Sequence, residues 1–549
     1  MKHVHPCLSH ALFIGSTLGL AACGGGGGGA GGTATATPAT IATPLVLSGN
    51  ASNGVALSST TVEARCATGN GSAPTDPSGH YRISIDGGAL PCVLRVSDGS
   101  TTLHSVAEAG GSQSLNANLT PLSDALVASL AGTPPADLYA NFETAQSRIT
   151  AANITTARAN LTAALAGVAD ISGLDPIKDD LSAAPAATNA ALAKLSTALD
   201  DARLFPADLN AALAAAGGIT APVKTLLQAA SATCSGLRSG TYRLIVPFIS
   251  LGSAFQRITI DAKNLSVRYD DANIDTLIDQ GGCHFSTPDN DQFYVSASGV
   301  ALLRYSADSG TTGIALIFPE QTLPVSAFAG SWNEIGFGRD TSSDPFNGWS
   351  AQLTVDSAGN VTDNQDCGTG LGDTCTADTL PTQLTANSDG GFDSSYQGSA
   401  VRMFGFRTTS GTTMMVSATP DGANLSIFAK VGSLTLPRVG SVSRYWNMSF
   451  NSAGYQGSFI SETTTITANN ASASTYTRSH ASDGHLETLS INQPKDGMRY
   501  RPAATATNSS GGTVNVSAAV LMRVGDTGLS IARNVTSGQN FFALGIDRP

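Results

Sequence analysis

Two histidines on one short stretch come closest to the residue types and spacing of a metal site. His480 and His485 flank an Asp483-Gly484 turn, and Glu487 follows closely. If this stretch folds as a hairpin, the side chains can meet across the strands and offer a ligand set that suits Zn²⁺ or Cu²⁺. A solvent-exposed turn is the alternative and the commoner case. We therefore expect no metal and no cofactor, and keep His480 and His485 as the candidate ligands of the alternative.

The three tryptophans, Trp332, Trp349 and Trp446, are the candidate ligand contacts. All three lie in the C-terminal part of the chain. A flat indole can stack on a sugar or line an apolar pocket. Trp332 and Trp446 open repeated strands, where a core anchor is the alternative interpretation. Trp349 lies outside the repeated position, so it is the better candidate for an exposed ring.

No catalytic motif can be identified. The chain has no G-x-S-x-G nucleophile elbow and no Walker sequence, and the glycine run 24–29 follows no strand and opens no helix. We expect no catalytic residues and no enzyme. A hydrolase of an extracellular polymer is the alternative, and it would need a cleft holding a His or carboxylate pair of perturbed pKa. The charged stretch Lys495–Arg501 is interpreted as a solvated hairpin, with a cation–π patch or an anion-binding patch as the alternatives.

The N-terminus has the features of an export signal. Residues 1–22 combine a positive start at Lys2 with a short apolar core. They end in Leu20-Ala21-Ala22-Cys23, which resembles the lipobox of bacterial lipoproteins. The resemblance implies cleavage before Cys23, acylation of that residue (palmitate among its chains) and anchoring in the outer membrane, facing either the periplasm or the cell surface. Residues 23–42 are rich in glycine and predict a flexible tether.

Six cysteines remain once Cys7 leaves with the signal and Cys23 takes lipid. An exported protein meets oxidising conditions, which favour disulfides. Six cysteines allow 15 connectivities, and proximity along the chain is our only basis for choosing one. It predicts three bridges, which are Cys66–Cys92, Cys234–Cys283 and Cys367–Cys375. A metal site is the alternative, but the chain has no Cys-x-x-Cys spacing.

Residues 43–120 alternate apolar and polar side chains between turns, which predicts short strands. Within them, Thr75–Tyr81 is an Asp/Pro/Ser/Gly turn that leads into a strand opening with an aromatic residue. The turn resembles the T-D-x-x-G-x-Y turn of carboxypeptidase regulatory-like, transthyretin-like domains. The resemblance implies an Ig-like β-sandwich that acts as a spacer or binding module. Residues 121–232 are instead rich in alanine with apolar residues at helical spacing, which predicts four to six short helices.

Residues 233–549 return to strands and contain a repeat. Aromatic residues occur in three opening strands, Gly240–Arg243, Gly330–Asn333 and Arg444–Asn447, and an apolar strand closes each unit. We predict about three related units (233–324, 325–437 and 438–549), each a barrel-like or sandwich-like subdomain of six to eight strands. Gly330-x-Trp332 resembles the lipocalin signature, a family that implies small-ligand binding. The whole layout resembles large uncharacterised β-proteobacterial lipoproteins, which imply no established activity.

Composition argues against two classes of protein, nucleic-acid-binding proteins and polytopic membrane proteins. The 549 residues carry a net charge of −12, which does not suit binding to nucleic-acid phosphates. No apolar run of about 20 residues follows the N-terminus, which argues against a polytopic membrane protein. The predicted fold class is multidomain and mainly β, with an N-terminal sandwich, a short all-α middle segment and a repeated C-terminal β region. The predicted function is a lipid-anchored binding or structural module whose partner is a glycan, a small ligand or a protein.

Overall fold

The computed structural model describes residues 43–110, 112–179, 181, 185–247, 254–306, 312–339, 344–367, 375–451, 454–455, 459–535 and 541–549. The predicted signal peptide, Cys23 and the glycine-rich tether lie outside these residues. The fold is built in chain order from a β-sandwich, a helical segment and three barrel-like sheets. The predicted fold class, multidomain and mainly β, is confirmed.

Seven strands form the N-terminal sandwich. They are β1 (Leu45–Asn50), β2 (Thr61–Thr68), β3 (Asn70–Pro74), β4 (His80–Ile85), β5 (Ala89–Ser97), β6 (Thr102–Ala107) and β7 (Ser114–Asn116). One sheet has the order β4-β1-β7 and the other β3-β2-β5-β6. The turn before β4 is held by Asp76, whose Oδ1 accepts the backbone N–H groups of Ser78 and His80 at 2.8 and 2.9 Å. Cys66 and Cys92 face each other on β2 and β5 and are disulfide-bonded.

Seven α-helices follow in the described part of the chain. They are α1 (Pro121–Ala131), α2 (Pro135–Ala140), α3 (Phe142–Ala145), α4 (Ala151–Leu165), α5 (Pro185–Ala202), α6 (Pro206–Ala216) and α7 (Ala221–Leu226). The prediction of four to six helices was therefore too low. Asn141 divides one stretch into α2 and α3, and a 3₁₀ turn (Gln146–Arg148) follows α3.

The helices share one hydrophobic core with the sandwich. Asp124 on α1 crosses this boundary, since its Oδ1 lies 2.8 Å from His104 Nδ1 on β6. Its Oδ2 accepts the amide of Asn210 on α6 at 2.6 Å. All three side chains are buried, so the network fixes how two helices sit on the sheet.

The first barrel is a meander of nine short strands. They are β8 (Gly240–Ile245), β9 (Phe255–Asp261), β10 (Ser266–Tyr269), β11 (Ile274–Thr276), β12 (Ile278–Gly281), β13 (His284–Ser286), β14 (Gln292–Val295), β15 (Ala301–Ser306) and β16 (Thr312–Pro319). The last strand, β16, pairs with the first, and only Leu277 separates the edge strands β11 and β12, so the sheet curls into a cylinder. Apolar side chains fill its inside. Cys283 after β12 is bridged to Cys234 before β8.

The second barrel repeats this meander. Its strands are β17 (Gly330–Gly338), β18 (Asn347–Val355), β19 (Val361–Asp366), β20 (Thr376–Ala377), β21 (Thr385–Ala386), β22 (Phe392–Tyr396), β23 (Ser399–Arg407), β24 (Thr413–Ala418) and β25 (Asn424–Lys430). β25 pairs with β17, and the seam lies between β20 and β21. A 3₁₀ turn (Val325–Phe328) precedes β17 and packs into the inner apolar cluster. Cys367 and Cys375 are bridged between β19 and β20.

The third barrel is closed without a seam. Its strands are β26 (Val442–Asn451), β27 (Gly454–Tyr455), β28 (Ile460–Asn470), β29 (Thr475–His480), β30 (Leu486–Ile491), β31 (Met498–Arg501), β32 (Ala504–Thr507), β33 (Thr513–Val516), β34 (Ala519–Arg523), β35 (Leu529–Asn534) and β36 (Phe541–Asp547). Eight of them form a ring in the order β26-β28-β29-β30-β31-β34-β35-β36, which β36 completes by pairing with β26. A ring of eight strands leaves room inside for packed side chains or one small ligand.

The largest core of this region lies between the barrels rather than inside one of them. It unites outward-facing apolar side chains of all three sheets, among them Phe318, Phe337, Phe406, Met448 and Phe542. The third barrel has only a small apolar cluster inside. Its strands therefore place apolar residues outward against the other barrels and polar residues inward. No helix in the described ranges is both long enough and apolar enough to span a membrane.

Candidate functional site

Two of the three candidate tryptophans are packed into cores. Trp332 on β17 has no exposed surface, and its indole N–H donates to the Phe328 carbonyl at 2.8 Å. Trp446 on β26 is 5% exposed and lies in the core between the barrels, with its ring 5.1 Å from that of Tyr294. The core-anchor interpretation describes both rings, and neither is placed to stack on a ligand.

Trp349 is the tryptophan that borders a cavity. It lies on β18 opposite Gly336 of β17, and both residues face the inside of the second barrel. A Cβ on Gly336 would lie 2.1 Å from the indole ring. The ring therefore lies flat over this glycine because no side chain occupies the space, and the rest of the ring borders the cavity.

Glu334 is the carboxylate that Trp349 holds in place. It lies two residues before Gly336 on the same inward face of β17. Its Oε1 accepts the indole N–H of Trp349 at 2.9 Å and the hydroxyl of Ser426 at 2.5 Å. No group in the described ranges donates to its Oε2. Burial raises the pKa of Glu334, and the nearby charge of Asp366 raises it further, although both hydrogen bonds oppose the shift.

The cavity in front of Glu334 has a volume of about 400 Å³ and is acidic. Besides Glu334 it is lined by Asp366 and Asp378, and no Lys, Arg or His is among its described lining residues. The Tyr396 hydroxyl donates to Asp378 at 2.5 Å, and burial together with this bond raises the pKa of Tyr396. A cavity of this size accommodates a small organic molecule. Its charge favours a cation and disfavours an anion.

The histidine candidates lie in the third barrel, around the end of β29 and the start of β30. His480 and His485 stack with ring centres 4.1 Å apart, and both are buried. The solvent-exposed turn is therefore wrong for them. His480 Nε2 lies 3.0 Å from Glu487 Oε2, and one ligand atom from each of the three residues lies within 4.8 Å of the others. The two histidines and Glu487 thus lie close together, as the sequence predicts.

The negative charge of Glu487, the third member of that cluster, is balanced by two arginines. Arg478 donates to Glu487 Oε2 at 2.7 and 2.9 Å, and Arg501 donates to Oε1 at 3.0 Å. Burial alone would raise the pKa of Glu487, but the hydrogen bond with His480 and the two guanidinium charges lower it well below its usual range. A divalent cation on these oxygens would face two fixed positive charges. The cluster therefore fits an ion-pair network better than a metal, and we keep the prediction of no metal.

Sequence reasoning missed Glu334. The signal was available, because Trp332, Glu334 and Gly336 share one face of a strand whose pattern has a period of two. A glutamate on the same face as a buried tryptophan is either paired or functional. The disulfides Cys66–Cys92, Cys234–Cys283 and Cys367–Cys375 join the pairs that proximity predicts. The lipidation candidate Cys23 lies outside the described residues.

Comparison with known proteins gives distant structural matches. No protein family matches the chain. No curated protein matches it either. Among solved structures, it aligns with isotype 1 transferrin binding protein B from serogroup B Neisseria meningitidis at 7% identity and a TM-score of 0.20, covering 54% of this chain and 66% of that one. The chain thus spans just under two thirds of that protein.

A second structural match is a protein of unknown function of the DUF3598 family from Nostoc punctiforme. It aligns at 10% identity and a TM-score of 0.15, covering 41% of this chain and 98% of that one. A mutant transferrin binding protein B from Haemophilus parasuis aligns at 7% identity and a TM-score of 0.17, covering 54% of this chain and 65% of that one. At these TM-scores the alignments establish no shared fold.

Proposed function

We propose that this protein is an exported, lipid-anchored and non-catalytic binding protein whose second barrel takes a small organic cation. One observation carries the proposal. Glu334 lines an acidic cavity with Oε1 fixed by two donors, while Oε2 has no donor in the described ranges. A ligand ammonium group would supply the missing donor and the missing positive charge.

The surroundings of Glu334 add to the preference for a cation. The ring of Trp349 borders the cavity, and a cation over an indole face gains about 0.5–2 kcal/mol, more when water is excluded. A charge-assisted hydrogen bond to the carboxylate contributes about 1.5–3 kcal/mol. The raised pKa of Glu334 couples binding to its ionisation, since a cation favours the charged carboxylate. Affinity should therefore rise as the pH rises through this raised pKa.

The anchoring part of the proposal rests on the chain's first 23 residues. The lipobox-like sequence ending in Cys23 supports acylation and export, and the glycine-rich tether supports a position clear of the lipid surface. Metabolic labelling with a palmitate analogue tests this directly. Native protein should carry the label and fractionate with outer membranes, and Cys23→Ser should carry none. Unlabelled native protein would contradict the anchor.

The ligand class is tested with benzylamine, which is cationic at neutral pH, and benzyl alcohol, its neutral analogue of similar size. We expect benzylamine to change the fluorescence of Trp349 and benzyl alcohol to have little effect. Glu334→Gln keeps the acceptor for Trp349 and Ser426 but removes the charge, so it should weaken benzylamine binding by about 10- to 100-fold. Asp363→Asn is the matched control, because Asp363 is exposed on β19 of the same barrel. Equal binding of both probes, or an unaffected Glu334→Gln protein, would contradict the cation site.

Hydrolysis of an extracellular polymer is the second candidate function. Glu334 has a raised pKa and shares its cavity with two further carboxyl groups, those of Asp366 and Asp378, and glycoside hydrolysis uses a pair of carboxyl groups that flank the scissile bond. A screen of polysaccharides for released reducing ends separates the two proposals. Turnover that Glu334→Gln abolishes would favour the hydrolase, and stoichiometric binding without turnover favours the binding protein.

A further inference from the structure

The third barrel has charged residues where the first has apolar ones. Its interior holds a cavity of about 330 Å³. Arg499 and Arg501 on β31 line this cavity with Arg478 on β29 and Arg523 on β34. The solvated hairpin expected for residues 495–501 is therefore wrong for both arginines of β31, because alternate residues of a strand face opposite sides and these two face inward.

Three of the four arginines have carboxylate partners in the described ranges. Arg478 and Arg501 both bind Glu487. Arg523 binds Asp547 on β36. The remaining acid of the interior, Glu462 on β28, lies 3.2 Å from His480 Nδ1 and accepts the Ser482 hydroxyl at 2.6 Å.

Arg499 is the arginine without a carboxylate. Within the described part of the chain, its guanidinium has neither a hydrogen bond nor an ion pair. Burial lowers the pKa of Arg499, and the charges of Arg523 and Arg478 lower it further, although Tyr476 and Asp547 act in the opposite direction. The Arg499 guanidinium therefore places a positive charge inside the barrel without a carboxylate of the protein in direct contact to balance it.

We propose that the interior of the third barrel binds a small oxyanion, a carboxylate, sulfate or phosphate group, on the free guanidinium of Arg499. A guanidinium presents a planar fork of N–H donors that matches two oxygens of such a group. Tyr445 and Ser530 line the same cavity and offer hydroxyl groups to a ligand inside it. This site is separate from the acidic cavity of the second barrel and prefers the opposite charge.

A ligand in this cavity would also explain why polar side chains line the inside of the third barrel. The apolar residues of these strands, such as Met498 and Val520, face outward into the core between the barrels. An eight-stranded ring whose inside is polar needs solvent or a ligand to satisfy its inward groups. An oxyanion on Arg499 would satisfy the one inward guanidinium that lacks a protein partner among the described residues.

The test uses the mature full chain and three probes, inorganic phosphate, sulfate and succinate, in buffers of constant ionic strength. Binding is measured by calorimetry, and thermal unfolding is followed with and without each probe. At least one probe should bind and raise the unfolding temperature. Arg499→Gln should weaken that binding at least about tenfold, Arg499→Lys should weaken it less, and Arg268→Gln, an exposed arginine of the first barrel, should leave it unchanged.

Stability without a probe separates binding from a structural role. Because Arg499 has no carboxylate partner, Arg499→Gln should unfold at the same temperature as the native chain or at a higher one. The proposal is overturned if none of the three probes binds, if Arg499→Gln binds as the native chain does, or if Arg499→Gln fails to fold while Arg499→Lys folds. The ranking of the probes tells whether the ligand carries a carboxylate or a tetrahedral oxyanion.

Discussion

Gly336 is the position where a single methyl group should dismantle the candidate site while the barrel stays folded. A Cβ there would lie 2.1–2.4 Å from three atoms of the Trp349 indole. Carbon atoms in contact need about 3.5 Å, so Gly336→Ala forces the ring to move by more than about 1 Å. Overpacking of this kind costs about 1–3 kcal/mol. We expect the lower end, because the cavity gives the ring somewhere to go.

The loss of binding can be worked out from the same geometry. The displaced ring no longer donates to Glu334 from 2.9 Å, and poorer positioning of that carboxyl should cost about 1 kcal/mol. Loss of the indole face under the cation removes about 1 kcal/mol more. The sum of about 2 kcal/mol corresponds to roughly 30-fold weaker benzylamine binding.

The movement of the ring can be seen by NMR. The chain has three tryptophans, so protein labelled with ¹⁵N-tryptophan gives three indole N–H signals. The Trp349 signal is the one that Trp349→Phe removes. Gly336→Ala should shift that signal strongly and leave the Trp332 signal in place, because the Trp332 indole bonds to a backbone carbonyl in the core.

Gly348→Ala provides the matched control on the neighbouring strand. A Cβ at Gly348 would lie no closer than 3.4 Å to any atom, which is an ordinary contact. This substitution should leave the indole signals, the benzylamine affinity and the stability nearly unchanged, with any stability change within about 1 kcal/mol. If Gly336→Ala leaves the Trp349 signal in place, or if both alanine variants behave alike, the indole does not lie over Gly336 and the reasoning fails.

Three further predictions concern stability. Burial raises the pKa of Asp291 in the first barrel to about 6, so the native state holds this proton more tightly than the unfolded chain and stability should fall as the pH rises from about 4 to 6. Asp291→Asn should therefore be more stable than the native chain at pH 8 by about 1 kcal/mol, reduced by solvent screening from roughly 3, and equal to it near pH 4. Glu487→Gln should cost about 3 kcal/mol in urea unfolding, because two arginines of the third barrel lose their carboxylate. Replacing Cys234 and Cys283 by serine opens a link between residues 49 apart and should cost about 4 kcal/mol, against about 2.6 for the shortest bridge, which joins residues 8 apart.

Each of these has an outcome that would contradict it. A constant difference between Asp291→Asn and the native chain at all pH values would mean that Asp291 does not titrate as a buried acid. A Glu487→Gln protein as stable as the native one would mean that the ion-pair network contributes little. Equal losses from the longest and shortest disulfides would mean that loop length does not govern their contribution.

The order of elements could be predicted because its signals are local. Alternation with a period of two, turn residues and aromatic opening strands separated the strands from the alanine-rich helices without any knowledge of long-range contacts. The predicted number of strands per barrel was too low, because we predicted six to eight and the first two barrels have nine each. Very short strands such as β20 and β21 carry almost no pattern of their own.

The faces of the third barrel could not be predicted because its pattern is inverted. Sequence reasoning takes the apolar face of a strand as the inside, and this assignment is right for the first barrel. On β31 the apolar Met498 contacts the core between the barrels, while Arg499 and Arg501 face inward. Only the packing of the other two barrels tells which side of this strand is covered.

Because the three barrels share one apolar core between them, they are not independent folding units. A shortened chain that contains only one barrel would expose to water the apolar surface that the other two barrels now cover. We expect such a chain to aggregate.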